Sequence, residues 1–203
     1  METSKTFFKN TTIDNPKVLM EDIKQWLIHQ EIISSKEQPL ELEAPNTYYG
    51  GINYKNIIEE EGFYGKVEFV AKRTEIMHRV GWDWGVDFLL PDVVLCPQCK
   101  KDLIKGIDPA TFYGENNLEQ DPNGIRILQE LRAGISLWES NEEVNITCYN
   151  CGVQNLIEEY DYNNSLIFTN FAIIFWNWPK LKPEFKNTLI NKLGVDTTLF
   201  IDM

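Results

Sequence analysis

Two pairs of cysteines with the same spacing constrain this chain more than any other feature of its sequence. All four cysteines belong to these pairs, Cys96 with Cys99 and Cys148 with Cys151. Two intervening residues allow one tight turn to direct both thiolates at a single ion, and a second such turn completes a tetrahedron. The spacing therefore predicts a structural metal site with four cysteine ligands. Zn²⁺ is the expected ion, because four thiolates satisfy it and leave no open coordination position.

Other chemistries for the cysteines remain open at this stage. The 48 residues between the pairs exceed the ~15–20 of compact four-cysteine fingers, so a shared site requires an inserted helix and loop. An iron–sulfur cluster is an alternative, although paired turns favour one tetrahedral ion. Unliganded or redox-active thiols are another, although a redox dithiol needs only one pair, and disulfides are rare without an export signal. Lys100 and Lys101 would offset part of the negative charge of a four-thiolate centre.

Helical periodicity predicts one helix near each end of the chain and one between the cysteine pairs. The first covers about residues 16–30 and begins with an Asn-Pro signature of a helix N-terminus. The last begins at Pro183 and is closed by Gly194, which favours the left-handed conformation at a helix C-terminus. Apolar residues at helical spacing predict the middle helix over about 125–138.

Apolar alternation and apolar runs predict strands over residues 65–73, 74–80, 86–90, 93–95, 166–178 and 197–202. Together with the helices, these strands predict an α+β fold: an antiparallel or mixed sheet covered by two helices, with an inserted zinc-ribbon-like subdomain. The main α+β domain is expected to comprise residues 1–95 and 153–203 around one core. The zinc-ribbon-like insertion is expected to be residues 96–152.

The balance of charge argues against one class of partner. The 203 residues include 19 Lys and Arg against 31 Asp and Glu, a formal net charge of -12. Residues 106–179 alone contain two basic and 11 acidic side chains. Nucleic-acid binders neutralise phosphates with clustered Lys and Arg, so we expect no nucleic-acid partner. The acidic segment is either a solvated surface or a face that attracts a basic protein.

Hydropathy gives no indication of a membrane or secreted protein. The longest uninterrupted apolar run is Phe171–Trp176, which is far shorter than the ~20 residues of a membrane-spanning helix. The first ten residues lack the apolar segment of a secretory signal. We therefore expect a cytoplasmic protein with no membrane partner.

Signatures of the common enzyme classes are missing. The chain contains no glycine-rich phosphate-binding motif, no G-x-S-x-G and no H-E-x-x-H. The two histidines, His29 and His78, have neither ligand nor catalytic spacing, and the metal pattern accounts for every cysteine. No catalytic residue is predicted, and these absences favour a non-enzymatic role.

Two W-x-W groups are the other unusual feature of the sequence: Trp82 with Trp84, and Trp176 with Trp178. Side chains at i and i+2 of a strand point to the same face, so each pair is a candidate aromatic platform for a sugar or a peptide. Asp83 and Asp87 are the candidate polar groups of that ligand surface. Packing of the rings in the hydrophobic core is the favoured interpretation, because large aromatic side chains dominate buried area in small domains.

The C-terminal segment from Phe175 to Phe185, which begins F-W-N-W-P, resembles a group of poorly characterised bacterial proteins. Those proteins share this motif, a spaced Phe, a following Leu-Gly and an early W-L helix, matched here by Trp26 and Leu27. They are also similar in carrying paired C-x-x-C turns in mid-chain. The resemblance covers about a quarter of the chain and implies a bacterial origin, but it supplies no catalytic residue. Some members are labelled sugar-transporter ATPases, a label that a chain without a phosphate-binding loop does not support.

Three functional hypotheses fit these features. The first is a non-enzymatic, zinc-stabilised, cytoplasmic protein-binding module. The second is an immunity or antitoxin-like protein whose acidic face masks a basic toxin. The third is an enzyme or carbohydrate binder that uses the Trp platforms.

Overall fold

The chain folds into two compact units. The computed structural model describes residues 4–10, 12–36, 46–60, 62, 65–77, 91–107, 121–163 and 165–202. The first unit combines Met1–Thr74 with Thr169–Met203, and the second unit is the intervening segment Glu75–Phe168. The second unit is larger than the predicted insertion 96–152, because Val94 and Tyr160, which flank the cysteine pairs, belong to its own core.

The first unit is built on an antiparallel sheet. Its strands, numbered in chain order with those of the second unit, are β1 (Ser4–Lys9), β2 (Thr47–Tyr49), β3 (Lys66–Val70), β8 (Ala172–Trp176) and β9 (Thr197–Asp202). They form a five-stranded sheet in the order β2-β3-β8-β1-β9, and every neighbouring pair is antiparallel. The predicted α+β class is confirmed.

Two helices pack on this sheet, as the periodicity predicts. Helix α1 (Pro16–His29) has proline at its first position, and helix α3 (Pro183–Leu193) is closed by Gly194 with a φ of 85°. The helices contribute their buried apolar side chains to one core with the sheet. The members from α1, α3 and the strands are Ile23, Leu27, Phe185, Leu189, Leu193, Phe7, Tyr48, Val67, Phe69, Ile173 and Phe175. This packing explains why the 3.6-residue pattern predicts both helices correctly.

Strand β1 lies between β8 and β9, although its sequence predicts no element. The strand pattern is obscured because Lys5 and Lys9 alternate with a phenylalanine on the face that the helices cover. The ammonium of Lys5 donates a hydrogen bond to the carbonyl of Trp178, and that of Lys9 donates to the carbonyl of Leu193 at 3.2 Å. Burial, and then the neighbouring Lys186, lower the pKa of Lys5. Lys9 thus satisfies a carbonyl that the C-terminus of α3 leaves without a partner within the helix.

The single strand predicted over 166–178 is wrong. The segment forms β7 (Leu166–Thr169) and β8, separated by two residues. Asn170 both accepts a hydrogen bond from the backbone N–H of Ile13 and donates one to its carbonyl, at 2.9 and 2.7 Å. The Thr169 hydroxyl likewise bonds the backbone of Phe171. Hydrogen bonds from side chains therefore take the place of strand pairing at the point where the chain passes from the second unit to the first.

The second unit contains one helix and short strands. Helix α2 (Pro122–Glu139) confirms the predicted middle helix and begins where the Asp121 side chain accepts a hydrogen bond from the N–H of Asn123. Strands β5 (Asn145–Thr147) and β6 (Gln154–Leu156) form an antiparallel hairpin, and β4 (Thr74–Met77) pairs with β7. The predicted strand over 86–90 and the last residues of the one predicted over 74–80 lie outside the described residues.

The core of the second unit is separate from that of the first. It contains Cys96 and Cys148 together with apolar side chains from α2 and its surroundings, including Leu103, Ile104, Ile127, Leu128, Leu131, Trp138, Ile146 and Ile157. Gly134 lets α2 approach its neighbours closely, because a Cβ there would lie 2.7 Å from Val144 Cγ1. Across the part of the chain that the structure describes, no helix combines the length and apolarity needed to cross a membrane.

Candidate metal centre

The four cysteines that the sequence singles out lie together in the second unit. Their sulfur atoms all lie within 4.8 Å of one another. The Sγ atoms of Cys96 and Cys151 are 3.8 Å apart, and those of Cys99 and Cys148 are 3.7 Å apart. A tetrahedral ion with metal–sulfur bonds of about 2.3 Å requires sulfur–sulfur edges of about 3.8 Å. The cluster therefore has the size of a single-ion site, whereas a disulfide would need a separation of about 2.05 Å.

Two turns with the same backbone hydrogen bonds hold the sulfurs. We call them the first cysteine turn (Cys96–Lys100) and the second cysteine turn (Cys148–Gly152). The N–H of the last residue donates to the carbonyl of the first cysteine, at 2.9 Å in the first turn and 2.8 Å in the second. The N–H of the first cysteine donates to the carbonyl five residues later, at 3.0 Å in both turns. Lys100 and Gly152, at the equivalent last position, have φ values of 57° and 73°.

Each turn is anchored to the second unit on both sides. The first turn follows Leu95, whose N–H and carbonyl exchange hydrogen bonds with the backbone of Asp161 at 2.9 and 3.2 Å. The Asp102 carboxylate accepts hydrogen bonds from two backbone N–H groups around this turn. The second turn connects β5 to β6. Its Tyr149 hydroxyl donates to the carbonyl of Leu103 at 3.1 Å, which ties the second turn to the segment that follows the first.

The pKa values of two thiols are shifted in opposite directions. Burial opposes ionisation of Cys96, but the backbone N–H groups of Cys99 and Gln98 and the neighbouring thiols outweigh it and lower the pKa to about 7. At Cys148 burial dominates, and with the nearby thiols of Cys151 and Cys96 it raises the pKa to about 12. A cation beside the sulfurs would favour the thiolate form of both cysteines.

The arrangement can hold one metal ion but offers it no place for a substrate. Cys96 and Cys148 are fully buried, Cys99 is half-buried and Cys151 is exposed. Four thiolates around one ion fill a tetrahedron, so no coordination position remains for an activated water. Such a closed donor set is typical of structural metal sites.

In the part of the chain that is described, Trp176 and Trp178 do not form the candidate platform, and Trp178 packs in the core, as the sequence favours. Strand β8 ends at Trp176, and the positive φ of Asn177, 56°, turns the backbone. Trp178 is therefore buried in the core of the first unit, where its ring packs edge-on against Phe175. Trp176 is half-buried, and its indole N–H donates to the carboxylate of Glu68 at 2.8 Å. The candidate ligand residues of the first W-x-W group, Trp82, Asp83, Trp84 and Asp87, lie outside the described residues.

Two residues that support the cysteines, Asp102 and Tyr149, are missing from the sequence-based prediction. Asp102 accepts hydrogen bonds from nearby backbone N–H groups, and Tyr149 contacts a distant segment. The sequence predicts a charge effect for Lys100 but not its positive φ. Only the second turn carries a sequence signal for its geometry, because Gly152 supplies the positive φ directly.

No protein-family model matches the sequence, and comparisons with curated proteins and with solved structures find no significant match. Function is therefore inferred from the geometry of the chain's own residues.

Proposed function

We propose that the chain is a non-enzymatic, protein-binding module whose second unit is built around a structural Zn²⁺ ion bound by Cys96, Cys99, Cys148 and Cys151. The observation that carries this proposal is the sulfur tetrahedron, with edges of 3.7 and 3.8 Å between cysteines of different turns. The closed donor set favours a structural role for the metal.

Zinc fits this site better than an iron–sulfur cluster does. Soft thiolates in a tetrahedron select Zn²⁺ or iron among the first-row metals. A cluster of several irons needs more room between its ligands than sulfurs that all lie within 4.8 Å of one another provide. The two matched turns also direct backbone N–H groups at Cys96 and Cys148, which stabilises the thiolate forms that ligate a metal.

Elemental analysis of the purified protein tests the metal. We expect about one zinc per chain in reduced, freshly purified protein. Cys99→Ser should lose most of it, because one thiolate ligand is removed. Gln98→Ser is the matched control: it places serine in the same turn at an exposed, non-ligand position and keeps the backbone N–H. Protein without any transition metal, or equal zinc in the two variants, would contradict the site.

Charge supports a basic protein as the partner. The second unit contains 16 acidic and six basic residues, whereas the first contains 15 and 13. Helix α2 has no basic residue in its last turn, and the exposed Glu139, Glu142 and Glu143 lie at and just after its C-terminus. Negative side chains are unfavourable at this end of the helix dipole, and a basic partner surface would relieve that repulsion.

Affinity capture from the native host tests the partner. We expect basic proteins that are retained at low salt and released as salt rises, because screening weakens the attraction. Replacement of Glu139, Glu142 and Glu143 by Lys should abolish capture. The control replaces the exposed acidic residues Asp14, Asp22 and Glu184 of the first unit by Lys, which changes the net charge equally. Equal capture by both variants, or micromolar binding of labelled DNA or RNA at low salt, would refute the acidic surface as a protein-binding face.

A further inference from the structure

The two edges of the five-stranded sheet differ in how they are covered. At one edge, the three-residue strand β2 is flanked by a preceding segment of the chain: the N–H of Ser34 donates to the carbonyl of Tyr49 at 2.8 Å, and Ile33 bridges to Gly50. At the other edge, the six-residue strand β9 pairs only with β1 among the described residues. Within the part of the chain that the structure describes, the longer edge is thus the one left open.

The hydrogen bonds of β9 to β1 show which backbone groups point outward. The N–H of Asn10 donates to the carbonyl of Asp196 at 2.8 Å, just before the strand begins. In an antiparallel ladder alternate residues bond the neighbour, so the even-numbered residues of β9 face β1. The N–H and C=O groups of Thr197, Leu199 and Ile201 therefore point away from the sheet, and within the described residues they have no backbone partner.

Strand β9 also lacks the features that protect open edges in soluble proteins. Such edges are interrupted by proline, lysine or a bulge, or they are very short. The sequence of β9, TTLFID, contains neither lysine nor proline, and its register with β1 runs without a bulge along the whole strand. An edge of this kind is a template for another strand.

The distribution of charge indicates which strand would be added. The first unit carries a formal net charge of -2 and the second unit one of -10. A basic partner is therefore attracted mainly to the second unit, while the first unit gives a second copy of the chain little electrostatic repulsion. We propose that β9 pairs antiparallel with β9 of a second copy, which joins the two sheets across a two-fold axis.

The self-pairing has one register in which the outward groups match symmetrically. With Leu199 opposite Leu199 of the second copy, Thr197 lies opposite Ile201 of that copy, and the reverse contact follows from the two-fold axis. The three outward residues of each copy then exchange about six backbone hydrogen bonds. The proposal does not depend on the metal.

Light scattering and amide hydrogen exchange on the full chain test the pairing. We expect a dimer that dissociates on dilution. The amides of Thr197, Leu199 and Ile201 should lose about tenfold or more of their protection over the same dilution, because they are protected only in the dimer. The amides of Thr198 and Phe200 should stay protected by β1 at every concentration.

Proline variants remove outward donors without touching the ladder to β1. Leu199→Pro should be monomeric, and Thr197→Pro, at the strand start where proline is best tolerated, should weaken association by about tenfold or more. Thr197→Val is the control, because it also loses the hydroxyl bond to Gly194 but keeps the N–H. If Leu199→Pro fails to fold, the comparison of Thr197→Pro with Thr197→Val still tests whether β9 pairs with a second copy.

Three results would overturn the proposal. The first is a monomer at all concentrations with freely exchanging outward amides. The second is a dimer that neither proline variant weakens. The third is protection of the outward amides that does not change with concentration, which would mean that another segment or partner covers the edge.

Discussion

Lys100 and Gly152 occupy the same position in the two cysteine turns, but only one of them is a glycine. Both have a positive φ, which costs a side-chain-bearing residue about 1 kcal/mol or more. We therefore expect Lys100→Gly to stabilise the second unit by about 1 kcal/mol and Gly152→Ala to destabilise it by a similar amount. A Cβ at Gly152 meets nothing within 4 Å, so its cost is conformational alone. Denaturant unfolding of the zinc-loaded protein measures both changes.

The charge of Lys100 is a competing explanation that the same experiment separates. Lys101→Gly removes an equal charge at the next residue, which has no positive φ. That variant should destabilise the unit slightly, since glycine is more flexible in the unfolded chain. If both glycine variants lower stability equally, the strain at Lys100 is negligible and the charge near the thiolates matters more.

At the residue scale, the sequence predicts groups whose chemistry is tied to spacing. Two C-x-x-C pairs specify which sulfurs can share a turn, and the structure brings all four together. The contacts that hold the turns in place have no such signal. Tyr149 and Leu103 are 46 residues apart and meet only through the tertiary fold. For Trp178 the spacing argument fails, because it assumes that the strand continues to residue 178, whereas β8 ends at Trp176.

At the element scale, the packing of α2 depends on Gly134. A Cβ there would lie 2.7 Å from Val144 Cγ1 and 3.0 Å from Ile157 Cδ1, and valine has little freedom to move away. Alanine gains about 1 kcal/mol in helix propensity, whereas overpacking costs about 1–3 kcal/mol, so we expect Gly134→Ala to destabilise the second unit by up to about 2 kcal/mol. Thermal unfolding provides the measurement.

Removal of the clash should reverse that effect. In a Val144→Ala background the added methyl group at residue 134 has space, so the double variant should be more stable than the sum of the single changes predicts. Ser136→Ala, at an exposed position of the same helix, controls for propensity alone. Additive behaviour of the residue 134 and 144 changes would show that the close approach is unimportant.

Elements with one apolar face are predictable from the sequence, and those with mixed faces are not. Helices α1 and α3 bury one stripe each, so their periodicity survives in the sequence. The strand pattern of β1 is obscured in the sequence because Lys5 and Lys9 lie on its inward face, where their ammonium groups donate hydrogen bonds to backbone carbonyls. The division of residues 166–178 into two strands depends on bonds of Asn170 to Ile13, a contact across more than 150 residues.

At the scale of the whole molecule, metal dependence should be confined to one unit. The core of the second unit includes Cys96 and Cys148, whereas the first unit's core contains no cysteine and no other residue of the metal centre. The boundaries of the units were not predictable from the cysteines, since Val94 and Tyr160 lie outside the paired turns and join their core only through packing. Each unit should therefore respond separately to loss of the ion.

Removal of zinc by a chelator should expose the amides of the second unit while leaving those of the first protected. Hydrogen exchange at Leu128 and Ile146 should accelerate by about a hundredfold or more, and exchange at Phe7 and Ile173 should change little. Cys151→Ser without chelator should reproduce the pattern, and added zinc should reverse the chelator effect only in the wild type. Uniform acceleration in both units would show that they unfold together.

Lowering the pH should release zinc and reduce amide protection in the second unit, as the chelator should. Zinc binding requires thiolates, and the thiols of Cys96 and Cys148 have pKa values of about 7 and about 12 before a metal binds. Each ligand must release its proton, so apparent zinc affinity falls as pH falls, and the second unit should lose protection at mildly acidic pH before the first. Zinc release and amide exchange measured across the same pH range should coincide in the second unit. Zinc affinity that does not change with pH would contradict thiolate ligation and, with it, the structural role of the four cysteines.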